Sequence, residues 1–213
     1  MADHVMWPVA ALLLLGAFHG VNPGMGWLFA VALGMQEHRR KAVWQAMLPL
    51  AVGHGLAIGT VLLLAGLTGA LLPVRTLRIT VALMLVSLGT YRLVRQRHFR
   101  WGGMRVGMMG LTVWSFLMAS AHGAGLMVLP VVLAAAPQHS ADHSGHASGV
   151  ASAMSGAFAT AVHGAGYLLA TALAATVCYE IIGLKWLRRG WVNLDAVWAV
   201  ALILTGVVAL FMI

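Results

Sequence analysis

Four histidines lie near the middle of four separate apolar segments, and a glycine directly follows each one; they are His19, His54, His122 and His163. Imidazole binds transition metals and exchanges protons at physiological pH. A polar, titratable side chain is costly in hydrocarbon, so such residues usually face a cavity, a cofactor or a transport path. The recurrence therefore predicts one shared site, which these four side chains line as metal ligands or proton carriers.

The composition is that of a membrane protein. Of the 213 residues, 61% are hydrophobic and only 8% are charged, and the mean hydropathy is +0.90. A transmembrane helix needs about 20 mainly apolar residues. We therefore predict an all-α, polytopic fold in which residues 1–213 form a single membrane domain. Its six predicted transmembrane helices cover about 5–34, 42–72, 77–96, 106–136, 150–182 and 194–213.

The positive charge is distributed as a topology signal. Arginines and lysines cluster at 39–41, 92–105 and 185–189, after the first, third and fifth predicted helices. Cytoplasmic loops of membrane proteins carry such an excess, so we expect both termini outside a bacterial inner membrane. The predicted partners are the lipid bilayer and a metal ion or small solute. The net charge of +8 does not indicate nucleic-acid binding.

The six predicted helices divide into two halves of three, at about 1–98 and 104–213. In each half the first two helices carry a His-Gly pair and the third does not. The first helix of one half runs opposite to the first helix of the other, which predicts a 3+3 inverted repeat. Transporters with such repeats bind their substrate near the midplane, where the repeats meet.

The first predicted helix should be broken or kinked near Pro23. Proline removes a backbone donor and clashes with the preceding turn, and Asn22, Gly24 and Met25 follow His19 closely. A broken helix exposes carbonyls and amides that can coordinate an ion inside the membrane. We expect this segment to line the site or the substrate path, with Tyr167, one turn past His163, as a supporting residue.

A polar insert at 137–149, expected to be an external loop, holds a second group of metal-ligating residue types. It contains three histidines and one carboxylate within eight residues: His139, Asp142, His143 and His146. Such a tract can gather a transition metal. We expect it to hold or sense an ion, or to be a flexible polar tether.

The stretch Phe18–Gly24, followed after one loop by Gly53-His54, resembles the nickel/cobalt efflux (NicO) family. Its members carry a His-x-x-x-Pro-Gly-His motif in the first core helix, and the family lies within the lysine-exporter-like superfamily of small inverted-repeat exporters. The resemblance covers mainly residues 16–60. It implies metal-binding or transport roles for His19 and His54.

These observations predict a transporter that exports a transition-metal cation of the Ni, Co, Zn or Cu class, with proton exchange as a further expectation. The five acidic residues all fall near helix ends or in loops, and neutral nitrogen ligands suit these metals better than Mg or Ca. Three alternatives stay open: a haem- or metal-binding redox protein, an exporter of a small organic solute, and a membrane metalloenzyme. No catalytic motif was found, so an enzyme is not expected.

Overall fold

The computed structural model describes residues 2–69, 73–94, 107–135, 145–182 and 194–211. Within these ranges the regular structure is entirely helical, so the predicted all-α class is confirmed. The α-helices are α1 (Ala2–Val21), α2 (Trp27–Gln36), α3 (Arg40–Gln45), α4 (Met47–Gly69), α5 (Val74–Val94), α6 (Met108–Ala121), α7 (Ala124–Ala135), α8 (Gly145–Val177) and α9 (Leu194–Phe211).

Three helical stretches of the described chain are long and apolar enough to cross a membrane: Arg40–Thr68, Arg75–Val94 and Ser155–Ile181. Helices α6 and α7 add a fourth if the pair, which is bent by 61°, is counted as one span. Membrane integration is therefore supported. The two pieces of the first predicted span are shorter helices, and the six-span arrangement stays a prediction.

The predicted break near Pro23 is confirmed. Helix α1 ends at Val21, a single 3-10 turn follows at Pro23–Met25, and α2 begins at Trp27. The Asn22 side chain accepts a hydrogen bond from Gly24 N at 2.9 Å. Asn22 is thereby the N-cap of the 3-10 turn that follows α1. Gly26 takes φ +128°, a backbone conformation that residues with a Cβ rarely adopt. Proline, cap and glycine together stop the helix and set the direction of α2.

A second break, which the sequence did not predict, separates α6 from α7. Helix α6 ends at Ala121, Gly123 takes φ +71°, and α7 leaves at 61° to α6. No proline is involved, and the left-handed Gly123 is the residue that permits the turn. The break places His122 at the junction of the two helices.

The helices pack as three main pairs: α1 against α8, α4 against α6, and α5 against α9. A glycine allows close approach in each pair. An added Cβ would lie 2.0 Å from His163 O at Gly16, 2.2 Å from Thr112 O at Gly53 and 2.7 Å from Ala199 O at Gly89. Close backbone contact through small residues is how helices associate in lipid. The contacts at Gly16 and Gly53 set the distances between the helices that carry the histidines.

Replacing Gly16 should destabilise the protein through the α1–α8 contact. Gly16→Ala would push a methyl group into the His163 carbonyl, and overpacking of this kind lowers the free energy of unfolding by about 1–3 kcal/mol. Gly59→Ala is the matched control, because an added Cβ there meets nothing within 4 Å in the described structure. Thermal unfolding of both variants in detergent measures the difference. Equal melting temperatures would contradict the close α1–α8 packing.

Candidate functional site

Three of the four predicted histidines meet in the interior. The ring centroids of His19 and His163 are 4.9 Å apart, those of His54 and His163 are 5.4 Å apart, and those of His19 and His54 are 5.5 Å apart. The rings come from α1, α4 and α8, and each residue is at most 1% exposed. We call these three residues the histidine triad. Three helices that are far apart in sequence therefore bring these imidazoles together, as the sequence predicted for buried histidines.

His122 is also buried, at 2% exposure. Its Nδ1 lies 2.8 Å from Met118 O, four residues earlier, just as Nδ1 of His19 lies 2.8 Å from Leu15 O. A carbonyl only accepts, so Nδ1 is the donor in both rings. In the neutral tautomer this leaves the lone pair of each ring on Nε2, which fixes the nitrogen that could bind a metal.

His54 and His163 are held differently. Both nitrogens of each ring are buried without a hydrogen-bond partner in the described part of the chain. His163 approaches the Leu12 carbonyl, but the contact falls short of hydrogen-bond geometry. Buried polar atoms are nearly always paired, and exceptions call for an explanation such as a ligand or water. His54 and His163 therefore contribute four ring nitrogens whose hydrogen-bonding capacity the described fold does not use.

The spacing of the triad fits a metal ion, but the ring orientations do not. When three imidazole nitrogens bind one metal ion at about 2.0 Å with tetrahedral angles, the ring centroids lie on the order of 5 Å apart. Yet within the described residues no group of three potential ligands is arranged to hold an ion. The planes of His54 and His163 are within 1° of parallel, and their ring centroids are 5.4 Å apart. Because the described triad is not converged, its rings have to turn before three nitrogens can bind the same ion.

Tyr167 packs directly against the triad. Its ring stacks on His54 with centroids 4.0 Å apart and an interplanar angle of 7°, and the residue is fully buried. Its hydroxyl donates a 2.8 Å hydrogen bond to Met25 O, in the break between α1 and α2. The sequence predicted Tyr167 as a supporting residue near His163. The structure shows that its contacts run to His54 and to the broken helix.

The carbonyls freed by the break are occupied by side-chain donors. Besides Tyr167 on Met25 O, there are three such bonds: Trp27 Nε1 to Val21 O at 2.9 Å, Trp114 Nε1 to Gly24 O at 3.0 Å, and Thr171 Oγ1 to Gly20 O at 3.4 Å. These carbonyls were expected to be available to an ion. Each already accepts a hydrogen bond, which leaves one lone pair on each oxygen. The ring nitrogens of His54 and His163 make no hydrogen bond among the described residues and are the better ligand candidates.

The predicted supporting residues lie in the break itself. Met25 is buried at 1% exposure, and a Cβ added to Gly24 would come within 3.3 Å of Met118 Cε. The Asn22 oxygen caps Gly24 N, which leaves its buried Nδ2 without a partner among the described residues. An amide NH₂ is a donor and cannot bind a cation. Asn22 is therefore positioned as a structural cap, with Pro23 following it at the start of the turn.

The predicted outer group falls largely beyond the described ranges. His139, Asp142 and His143 lie outside them, and His146 falls in the first turn of α8, where only the backbone is described. Helix α8 begins at Gly145, so the end of the predicted loop is helical. A metal role for this group stays a prediction.

Sequence reasoning missed the donors that hold the break. Trp27, Trp114 and Thr171 were not singled out, nor was Ser115, whose hydroxyl donates to Leu50 O at 2.7 Å. A signal was available for the tryptophans, since both lie inside apolar segments, away from the helix ends where membrane tryptophans usually lie. A buried indole N–H normally finds an acceptor.

Comparison of the chain with models of protein families, with curated proteins and with solved structures gives no match. The site is therefore interpreted from its own geometry and chemistry.

Removing an imidazole that the fold does not pair should stabilise the protein. His54→Phe keeps an aromatic ring against Tyr167 and eliminates two buried nitrogens without partners, each of which carries a desolvation penalty of about 1–3 kcal/mol. We expect a higher melting temperature in detergent. His19→Phe is the comparison, because it also removes the bond to Leu15 O and should not stabilise. A His54→Phe variant less stable than wild type would show that the imidazole serves the fold.

Proposed function

We propose that this chain is a membrane transporter that exports a transition-metal cation through the histidine triad. The observation that carries the proposal is the mutual contact of three buried imidazoles, contributed by helices α1, α4 and α8. Polar, titratable groups inside a membrane domain usually mark an ion pathway. His122, buried at the second break, would line the path beside the triad.

The ligand types favour a particular class of cation. The acidic side chains that the structure describes, Glu37 and Glu180, pair with Arg39 and Arg40 and so do not enter the triad. A site of neutral nitrogen donors suits Ni, Co, Zn or Cu, whereas Mg and Ca require oxygen ligands. Metal binding displaces protons from imidazole, which would supply the predicted proton exchange.

The helix pairing supports the proposed six-span inverted repeat. Let α1–α2, α3–α4 and α5 be the three spans of the first half, and α6–α7, α8 and α9 those of the second. The first span of each half then packs on the second span of the other, and the two third spans pack together. A two-fold axis that exchanges the halves produces this pattern.

The two proposed first spans also share local features. Both are broken in the middle, α1–α2 at 22–26 and α6–α7 at 122–123. Each carries a histidine, His19 or His122, whose Nδ1 bonds the carbonyl four residues earlier at 2.8 Å. Discontinuous helices at the repeat interface are typical of substrate sites in secondary transporters. This likeness supports the inverted-repeat arrangement. The proposal of a NicO-like exporter with both termini outside the bacterial inner membrane rests on the sequence resemblance and on the distribution of arginine and lysine.

Metal binding and flux test the proposal directly. Purified protein should bind about one Co²⁺, Ni²⁺ or Zn²⁺ per chain by elemental analysis, and proteoliposomes should move the same ion. His163→Ala removes one of three ligands and should weaken binding and flux by at least about tenfold. His38→Asn is the control: His38 is exposed on the α2–α3 connection, and asparagine tolerates its φ of +51°.

The same preparation distinguishes the alternatives. A Soret band in the absorption spectrum would indicate haem, and flux of an organic solute that survives chelation would indicate a solute exporter. Metal binding that is equal in wild type and His163→Ala would refute the triad as the metal site.

A further inference from the structure

We infer that Tyr167 is a positioning residue that couples the occupancy of the histidine triad to the conformation of the break in the first span. This inference rests on the proposed function, because it assumes that the triad binds a metal ion. It concerns how binding changes the protein rather than which residues bind.

The first half of the coupling is the stacking contact. The Tyr167 ring lies 4.0 Å from the His54 ring and within 7° of parallel, in a fully buried position. The Tyr167 backbone is fixed against α1, since a Cβ at Gly20 would come within 2.3 Å of Tyr167 O. The tyrosine therefore holds the His54 ring plane in its present orientation.

Metal binding by all three rings requires a change in orientation. The described triad is not arranged to hold an ion, so its rings must turn before three nitrogens can converge. His54 makes no hydrogen bond in the described structure that would resist the turn. What it loses is the stacking on Tyr167, worth about 0.5–1.5 kcal/mol. A turn of His54 would therefore set occupancy of the triad in competition with the present position of Tyr167.

The second half of the coupling is the tyrosine hydroxyl. The hydroxyl donates a hydrogen bond of 2.8 Å to Met25 O, which lies inside the turn that joins α1 to α2. When His54 turns away, one face of the Tyr167 ring loses its packing partner and the side chain can move. A buried carbonyl then loses its donor, which makes the present conformation of the break less favourable. Metal binding at the triad is therefore transmitted to the discontinuous span, whose rearrangement would open the site to one side.

Tyr167→Phe tests the two interactions separately. It retains the stacking of the ring on His54 and removes only the hydroxyl that bonds Met25 O. Bound Co²⁺ reports the site through its visible d–d absorption, and proteoliposome flux of Co²⁺ reports transport. We expect the variant to keep the wild-type Co²⁺ spectrum and affinity while its flux falls about tenfold, within the range of typical coupling energies. A residue with a merely structural role would change affinity and flux together.

Thr205→Val is the matched control, because it likewise removes one side-chain hydrogen bond to a backbone carbonyl, that of Ala201, but within α9. Its flux should stay near wild type. Equal losses of flux in the two variants would overturn the inference, as would unchanged flux, or a lost Co²⁺ spectrum, in Tyr167→Phe. If the wild-type protein binds no Co²⁺, the proposed function itself is refuted, and the coupling is refuted with it.

Discussion

The site depends on one constraint: a helix broken inside an apolar environment must find new partners for the backbone groups that the break releases. Around residues 22–26 this need is met from three directions. Trp27 of α2, Trp114 of α6, and Tyr167 and Thr171 of α8 each donate to a carbonyl of the break. The first span therefore cannot adopt its broken form alone. It requires α6 and α8 at fixed distances, and those distances bring the triad together.

Glycines set those distances. Gly16 and Gly20 of α1 contact backbone atoms of α8 at His163 and Tyr167, and Gly53 contacts α6 one residue before His54. Because the close contacts involve the histidine-bearing turns themselves, the packing that joins the helices also places their imidazoles within 5.5 Å. Packing and site are one arrangement, and a change that separates α1 from α8 also separates His19 from His163.

The sequence was sufficient for features that follow from composition and from local stereochemistry. Hydropathy predicted apolar helices, Pro23 with its flanking glycines predicted the first break, and the repeated His-Gly pairs predicted that buried imidazoles would meet. The break at His122-Gly123 was missed because it contains no proline, and a His-Gly pair such as His54-Gly55 lies in a continuous helix. The capping donors were missed because a hydrogen bond such as Trp114 to Gly24 O spans 90 residues. The ring planes of the triad depend on side-chain packing, which no pattern of residue types encodes.

The ring planes of the triad show that bringing the ligands together and binding the ion are two different steps. A protein that needed its histidines only for packing would pair their nitrogens, yet His54 and His163 keep theirs buried and without partners in the described structure. In a permanent structural metal site the ligands already converge on one point. The ligands of the described triad do not converge in this way. A transporter needs a different kind of site. Its ligands lie close to binding geometry, but the site is also stable without the ion, so that the ion can be released as well as bound. Stacking of His54 on Tyr167 provides that stability, because it gives the empty triad a favourable arrangement that the ion has to displace.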